Sequence, residues 1–181
     1  PEGFPDTFKM HFRSVYTTVA RGGKGDGLSA TAADGHHEVA LCEEAGVEYV
    51  ELLVGLDGLS VITSTNNADV TCLDFNDLYA LLGPESEGFA NWSDANDLAA
   101  ELGAGHAPYT EAPLVITAPG EESGTYDFFV ETVIEPIQEE RVPEDVDGDG
   151  ENDYFTRADY QSSGNDNVII EGVAGNDTSL G

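Results

Sequence analysis

Positive charge is what this chain has least of. Six basic residues, Lys9, Arg13, Arg21, Lys24, Arg141 and Arg157, stand against 36 acidic ones, for a formal net charge of −30. A field of that sign repels nucleic acid and anionic lipid, so neither is expected as a partner. No apolar run approaches the roughly 20 residues that cross a bilayer, so no membrane insertion is expected either. No leader pattern is visible, and the chain opens on Pro1 instead of Met, which reads as a processed or cut piece. The excess of carboxylates suits a saline habitat, where such a surface keeps a protein soluble.

Cysteine is scarce too. Cys42 and Cys72 are the only two, and neither stands in the close spacing of a metal knuckle. An even pair of this kind reads as a disulfide formed outside the cytoplasm, worth about 3–4 kcal/mol for a loop of this size. Two free buried thiols are the alternative. Histidine offers little: His36 and His37 have no clear third ligand, and His106 stands isolated in the loop over residues 103–108. Lys24 sits among glycines but completes no phosphate loop, because Thr18 occupies the place of the required earlier glycine and no Ser or Thr follows.

What the chain does contain is ordered punctuation. A helix over residues 38–45 leads through Gly46 into a strand, Val47 to Val54. Gly55-Leu56-Asp57-Gly58 reads as a turn and Leu59 to Thr63 as a second strand. Asp74 caps a helix carrying Leu78 and Leu81, ended by Gly83-Pro84. Trp92 reads as buried, with a short helix near residues 97–102. Leu114-Val115-Ile116 is a strand, broken by Pro119-Gly120. Ser123 is then an N-cap, and Tyr126, Val130, Val133 and Ile137 share one helical face. Pro136 is expected to close that helix near Val133 or Ile134. Residues 167–173 read equally as strand or short helix. Strands alternating with helices imply an α/β architecture with a largely parallel sheet.

The turn Ser123-Gly124-Thr125 carries the most chemistry. Two hydroxyls and the N–H groups of a first helical turn are what an oxyanion needs, and Gly124 leaves the backbone open to approach. With so few cations, such a site has to work through short hydrogen bonds from backbone and hydroxyl groups. An ordinary capped helix is the alternative. A second motif lies in an acidic insertion at residues 138–156. Asp145, Asp147 and Asp149 alternate as in the opening of a calcium loop, with Glu151 offering its carbonyl and Asp153 a further carboxylate. The twelfth position is Thr156 rather than Glu, so a complete EF-hand is excluded. The loop reads either as a weak, millimolar calcium site or as a solvated acidic turn.

Taken in order, Cys42-Glu43-Glu44-Ala45-Gly46-Val47-Glu48-Tyr49, Gly55-Leu56-Asp57-Gly58-Leu59-Ser60-Val61, Cys72-Leu73 and Ser123-Gly124-Thr125-Tyr126-Asp127-Phe128-Phe129 form a recognisable series. With Asp159-Tyr160, Asp166-Asn167-Val168 and Gly172-Val173 they resemble the PstS-type phosphate-binding proteins of ABC phosphate uptake, over residues 38–181. The resemblance implies an α/β, type II periplasmic-binding-protein-like fold, mostly one lobe with a central mixed sheet flanked by helices. Residues 58–181 would form the second lobe. Residues 1–57 would be a remnant of the first, with 1–37 atypical and a candidate for disorder. It favours a helix for residues 167–173 and implies that Ser123, Gly124 and Thr125 donate to phosphate. Counted ungapped from Cys42, the family's first-lobe aspartate falls on Asp26, while its serine and arginine fall on Thr31 and Ala32.

The implied function is an extracytoplasmic solute-binding protein, non-catalytic, that captures inorganic phosphate for an ABC transporter permease and needs no cofactor. A calcium-stabilised extracellular surface or adhesion module is the alternative, although a single acidic loop is few for one. A phosphate-handling hydrolase ranks third, because no base is spaced to activate Ser123.

Overall fold

The computed structural model describes residues 12–20, 29–31, 49–67, 69–146, 148, 150 and 152–181, with side chains from Gly58 onward. Contacts divide the chain into two compact units, Pro1–Ser60 and Val61–Gly181.

The first unit holds an antiparallel sheet in the order β2-β1-β3, from β1 (Phe12–Ala20), β2 (Ser29–Thr31) and β3 (Tyr49–Gly58). The stretch read as atypical thus contributes β1 and β2. Two expectations are corrected. Residues 55–58, read as a turn, continue β3, and residues 59–62, read as a strand, lie in none; Thr63 makes only a single bridge, to Leu180. The reason is long-range pairing. Gly55, Asp57 and Gly58 lie opposite Val15, Arg13 and Phe12 of β1, and a ladder partner overrides the turn preference of such residues. The helix expected at residues 38–45 lies outside the described residues.

In the second unit the local signals hold. Helix α1 (Phe75–Leu82) starts in a capping box: Asp77 N–H donates to Asp74 Oδ1 at 2.9 Å and Asp74 N–H to Asp77 Oδ2 at 2.8 Å, which satisfies donors the helix itself cannot. Gly83 ends it, its N–H closing on Tyr79 O, because Pro84 cannot continue the ladder. Its Leu78, Tyr79, Leu81 and Leu82 enter one core with Trp92, Ile116, Val130, Val133 and Ile134. Trp92 is 2% exposed and donates its indole N–H to Thr178 O at 2.8 Å. Each such large side chain contributes about 1.5–3 kcal/mol by leaving water. Helix α2 (Asn96–Leu102) ends at Gly103 with φ 71°, a left-handed cap that only glycine adopts without strain.

A parallel sheet in the order β5-β4-β6 forms the middle of this unit, from β4 (Val115–Ala118), β5 (Gln161–Ser162) and β6 (Ser179–Leu180). Helix α3 (Gly124–Phe129) follows β4, with Ser123 as N-cap. Contrary to expectation, Pro136 does not close the helical run. Val130–Ile134 form a wider turn in which Glu135 N–H reaches back to Val130 O, and α4 (Glu135–Arg141) continues from it. The extra residue in that turn places Pro136 at the start of α4, where a missing N–H leaves no bond unmade. The acidic insertion is consequently shorter than expected. Gln138 is helical and fully buried, donating to Asp153 O and accepting from Phe155 N–H, both at 3.2 Å. Helix α5 (Asp166–Ala174) takes the place where strand and helix read equally.

Helix α5 sits against β4 through a glycine. A Cβ on Gly172 would stand 2.6 Å from Thr117 Oγ1 and 2.8 Å from its Cγ2, and Thr117 is 1% exposed. Gly172→Ala should therefore cost about 1–3 kcal/mol by overpacking. Gly124→Ala, where a Cβ meets nothing within 4 Å, should change stability by no more than about 0.5 kcal/mol. Urea unfolding of both variants checks this, and equal losses would show that α5 is not seated on Thr117.

Candidate functional site

Strand β4 has a neighbour on each side, and the chain leaves it for β5 on one flank and reaches β6 on the other. Ligands of parallel α/β sheets bind outside the carboxyl ends of the strands at such a reversal. Ala118 and Ser162, the last residues of β4 and β5, are paired, and Ser163 N–H donates to Ala118 O at 3.0 Å. Both following loops therefore leave the sheet side by side, and each opens a helix. After β4, Pro119-Gly120 breaks the strand, and Ser123 N–H closes a tight turn on Gly120 O at 2.9 Å. After β5, Ser163-Gly164-Asn165 leads into α5, capped by Asn165 Oδ1 accepting from Asn167 N–H at 3.0 Å.

The predicted oxyanion residues stand at the first of these helix starts. Ser123 is half-buried, and Gly124 and Thr125 are exposed. Ser123 Oγ accepts from Thr125 N–H at 3.2 Å, and Ser123 O accepts from Tyr126 and Asp127 N–H. In this arrangement the hydroxyl proton of Ser123 is not used by the cap, so the group retains a donor. Tyr160 steadies the turn from below, donating its hydroxyl to Pro119 O at 2.7 Å. Burial, with the nearby Tyr126, Glu121 and Glu122, pushes that phenol above its ordinary pKa, offset by a hydrogen bond with Thr156. Asp26, the other predicted phosphate residue, lies outside the described residues.

Other expected sites are less complete. Asp147, Asp149 and Glu151 of the acidic loop lie outside the described residues. Of its other members, Asp145 accepts from Gly148 and Gly150 N–H at 2.6 and 3.1 Å, and Asp153 accepts from Val146 N–H at 2.8 Å. Cys42 is likewise outside them. Cys72 is exposed and in no disulfide among the described residues, so its reading as a buried thiol is corrected: it precedes α1 on the surface rather than in the core.

His106 is not isolated. Its Nδ1 lies 2.6 Å from Oδ2 of the fully buried Asp77, whose Oδ1 accepts from Tyr109 hydroxyl at 2.6 Å. The partners are separated by 29 and 32 residues, which hid the cluster in the sequence. Burial alone would raise the Asp77 carboxyl, but the donors from Asp74 N–H, Tyr109 and His106 outweigh it and hold the group below the usual range. Asp74, Asp77 and His106 are close enough to suggest a metal. Their oxygens, however, already accept backbone donors, Asp74 from Asp77 and Gly105 and Asp77 from Asp74 and His106. The cluster ties the 103–109 loop to α1. No serine, threonine or cysteine hydrogen-bonds His106 among the described residues.

Both arginines of the unit are engaged. Arg141 pairs with Glu85 at 2.8 Å and Glu101 at 3.2 Å. Arg157, 4% exposed, forks onto Asp159 at 2.5 and 2.8 Å and also donates to Phe89 O. Its Nη1 is the one buried side-chain nitrogen or oxygen without a partner among the described residues.

No protein-family model matches the chain. It is 25% identical over 185 residues to a protein named SphX from Synechococcus elongatus, and 26% identical over 160 residues to SphX from Synechocystis sp.. These alignments take in 96% and 88% of this chain but 47% and 40% of the two relatives, so the chain spans less than half the length of the curated relatives it matches. A crystal structure from Planctomyces limnophilus, described as a possible phosphate binding protein, is similar with a TM-score of 0.55 at 22% identity, over 92% of this chain and 45% of that one. That likeness shows the fold: α/β and type II periplasmic-binding-protein-like, of an extent that answers to part of the larger molecule.

The Arg157–Asp159 fork predicts an acid response. The hydrogen bonds from Arg157 bring Asp159 down to about 2, from an unfolded value of about 3.9. A lowered folded pKa means the contribution is complete above about pH 4 and lost as pH falls through about 2. The melting-temperature gap between wild type and Asp159→Asn should therefore be widest above pH 4 and narrow steadily towards pH 2. A gap independent of pH would show that the fork contributes nothing as an ion pair.

Proposed function

We propose that this chain is part of an extracytoplasmic solute-binding protein that captures inorganic phosphate without catalysis and hands it to an ABC transporter permease. The observation that carries this is the Ser123-Gly124-Thr125 turn, set where β4 ends at the centre of a parallel sheet and opening a helix with two hydroxyls and an unobstructed glycine. The description of the Planctomyces limnophilus protein supports the choice of phosphate. Neutral donors suit the surroundings, because Arg141 and Arg157 of this unit are both engaged by carboxylates and an oxyanion has to be held at contact range. Asp26 joins this ligand set on the resemblance alone.

Titration calorimetry of the full chain with inorganic phosphate tests the reading. Binding should be measurable, and Ser123→Ala and Thr125→Val should each weaken it by about 1–3 kcal/mol. Gly124→Ala should weaken it while leaving stability intact, since a Cβ would stand where the oxyanion approaches. Unchanged affinity in all three variants would remove the assignment.

A second property of the same protein rests on the acidic loop. We propose weak calcium binding there, supported by the way the backbone already wraps Asp145, with Gly148 and Gly150 at φ 80° and 95°. The flexible oxygen-rich shell suits calcium better than magnesium. Millimolar calcium at fixed ionic strength should raise the melting temperature of the wild type more than that of Asp147→Asn/Asp149→Asn. Equal shifts would mean that calcium only screens the chain's negative charge.

A further inference from the structure

We propose that Asn176, in the loop joining α5 to β6, is a site of N-glycosylation, and that Asn91, which shares its three-residue signature, is not. The inference rests on the extracytoplasmic part of the reading above, because this modification belongs to surface loops of secreted proteins. Its acceptor pattern is an asparagine followed two residues later by Ser or Thr, with any residue but proline between. The chain carries that pattern twice, as Asn91-Trp92-Ser93 and as Asn176-Asp177-Thr178. Three letters are a weak signal, and the structure separates the two.

Asn91 is built into the fold. Trp92 N–H donates to Ala112 O at 2.9 Å and Leu114 N–H donates to Ala90 O at 2.8 Å, so the residues on either side of Asn91 are bonded to a neighbouring segment. Asn91 itself bridges Pro113, and its N–H donates to Asp94 Oδ2 at 2.8 Å. The middle residue of this triplet is Trp92, 2% exposed, with its ring edge-on to that of Tyr109. Presenting Asn91 to a transferring enzyme would break these bonds and draw a tryptophan out of the core.

Asn176 is placed differently. Residues 175–178 form a turn in which Asp177 is exposed and Asn176 and Thr178 are half-buried. Asn176 Oδ1 accepts from Thr178 N–H at 3.3 Å and from Thr178 Oγ1 at 3.4 Å. A backbone N–H can only donate, so the first bond fixes which end of the amide is oxygen. The oxygen is thereby held by the loop, while Nδ2, the atom that takes a sugar, makes no hydrogen bond among the described residues. The hydroxyl that the signature demands is already on the acceptor's own amide. Asp177 is engaged elsewhere, since Asn66 Nδ2 donates to its Oδ1 at 2.7 Å.

The step is a group transfer from a saccharide carried on a lipid phosphate. Nδ2 forms a bond to the anomeric carbon as the bond from that carbon to the phosphate oxygen breaks. The lipid phosphate leaves with the electron pair, and the amide gives up one proton to a base of the transferring enzyme. The position is compatible with ligand capture. Strands β4, β5 and β6 are parallel. The loops over 119–123 and 163–165 leave β4 and β5 at their carboxyl ends, whereas residues 175–178 enter β6 at its amino end. A glycan on Asn176 therefore stands at the opposite end of the sheet from the Ser123 turn.

The test is mass spectrometry of the protein isolated from its own cells, after the cytoplasm has been separated from the extracytoplasmic fraction. Trypsin cuts after Arg157, which puts Asn91 and Asn176 on different peptides. The Asn176 peptide should be heavier by whole sugar residues, located on Asn176 by fragmentation, and the Asn91 peptide should have its bare mass. Asn176→Gln and Thr178→Ala should abolish the added mass, Thr178→Ser should retain it, and Asn91→Gln should leave it unchanged. A protein recovered outside the cytoplasm with a bare Asn176 or a modified Asn91 would overturn the assignment while leaving phosphate capture standing. Added mass that persists in Thr178→Ala would overturn it too. Recovery from the cytoplasm alone would overturn the extracytoplasmic reading and the glycosylation together.

Discussion

The middle strand of the parallel sheet is the constraint on which the second unit depends. Strand β4 is four residues long, yet it is paired on both edges and covered on one face by α5 through Gly172. Ile116 and Thr117 are consequently buried. A strand held on three sides has no freedom at its carboxyl end. The loops beginning at residues 119 and 163 therefore emerge at a fixed spacing, and everything proposed about ligand capture follows from that spacing.

Electrostatics divides into a long-range and a short-range part, with opposite signs for an anion. At long range the chain repels phosphate, since 36 acidic residues face six basic ones. That repulsion fades over about 10 Å at 0.1 M salt. At contact the field is set by individual groups. Arg141 is held by Glu85 and Glu101, Arg157 by Asp159, and the Glu85 carboxyl is drawn below its usual range by hydrogen bonds from Arg141 that outweigh its burial. The donors at the Ser123 turn are hydroxyl and amide groups, with the carboxylates of Glu121 and Glu122 next to them in the chain. Those donors are weaker than guanidinium but lose less solvation when covered.

Elements governed by neighbours in sequence were legible. The Asp74 capping box, the stop at Gly83-Pro84 and the Ser123 cap each depend on residues within a turn or two, and the structure places them as expected; Trp92 is buried as its size suggested, by partners as distant as Thr178. Elements governed by distant partners were not. Gly55 and Gly58 carry every mark of a turn until β1 supplies partners 40 and 46 residues away, at Val15 and Phe12. His106 looked solitary because Asp77 is 29 residues off. Pro136 misled for another reason: it forbids one hydrogen bond, and a single widened turn at Val130–Ile134 satisfies that prohibition without ending the run. The Ser123 cap was readable, whereas the place of the Glu122 carboxylate beside Gly120 and Gly164 was not, because Gly164 lies 42 residues further along the chain, in the loop after β5.

Glycine usage in the second unit separates structural from functional demands. Gly172 is required by packing, since Thr117 occupies the space of a side chain, and Gly103 by its left-handed backbone. Gly124 is required by neither: its surroundings are open and its backbone is helical. A residue with helical dihedrals and free space is one where alanine is the better choice for stability. Glycine there has lower helix propensity than alanine would. Its return has to come from something that approaches the backbone closely and is larger than a hydrogen atom will obstruct. An oxyanion lying on the first amides of α3 meets that description. The stability argument therefore bears on Gly124, the residue that the proposed capture of an oxyanion also singles out.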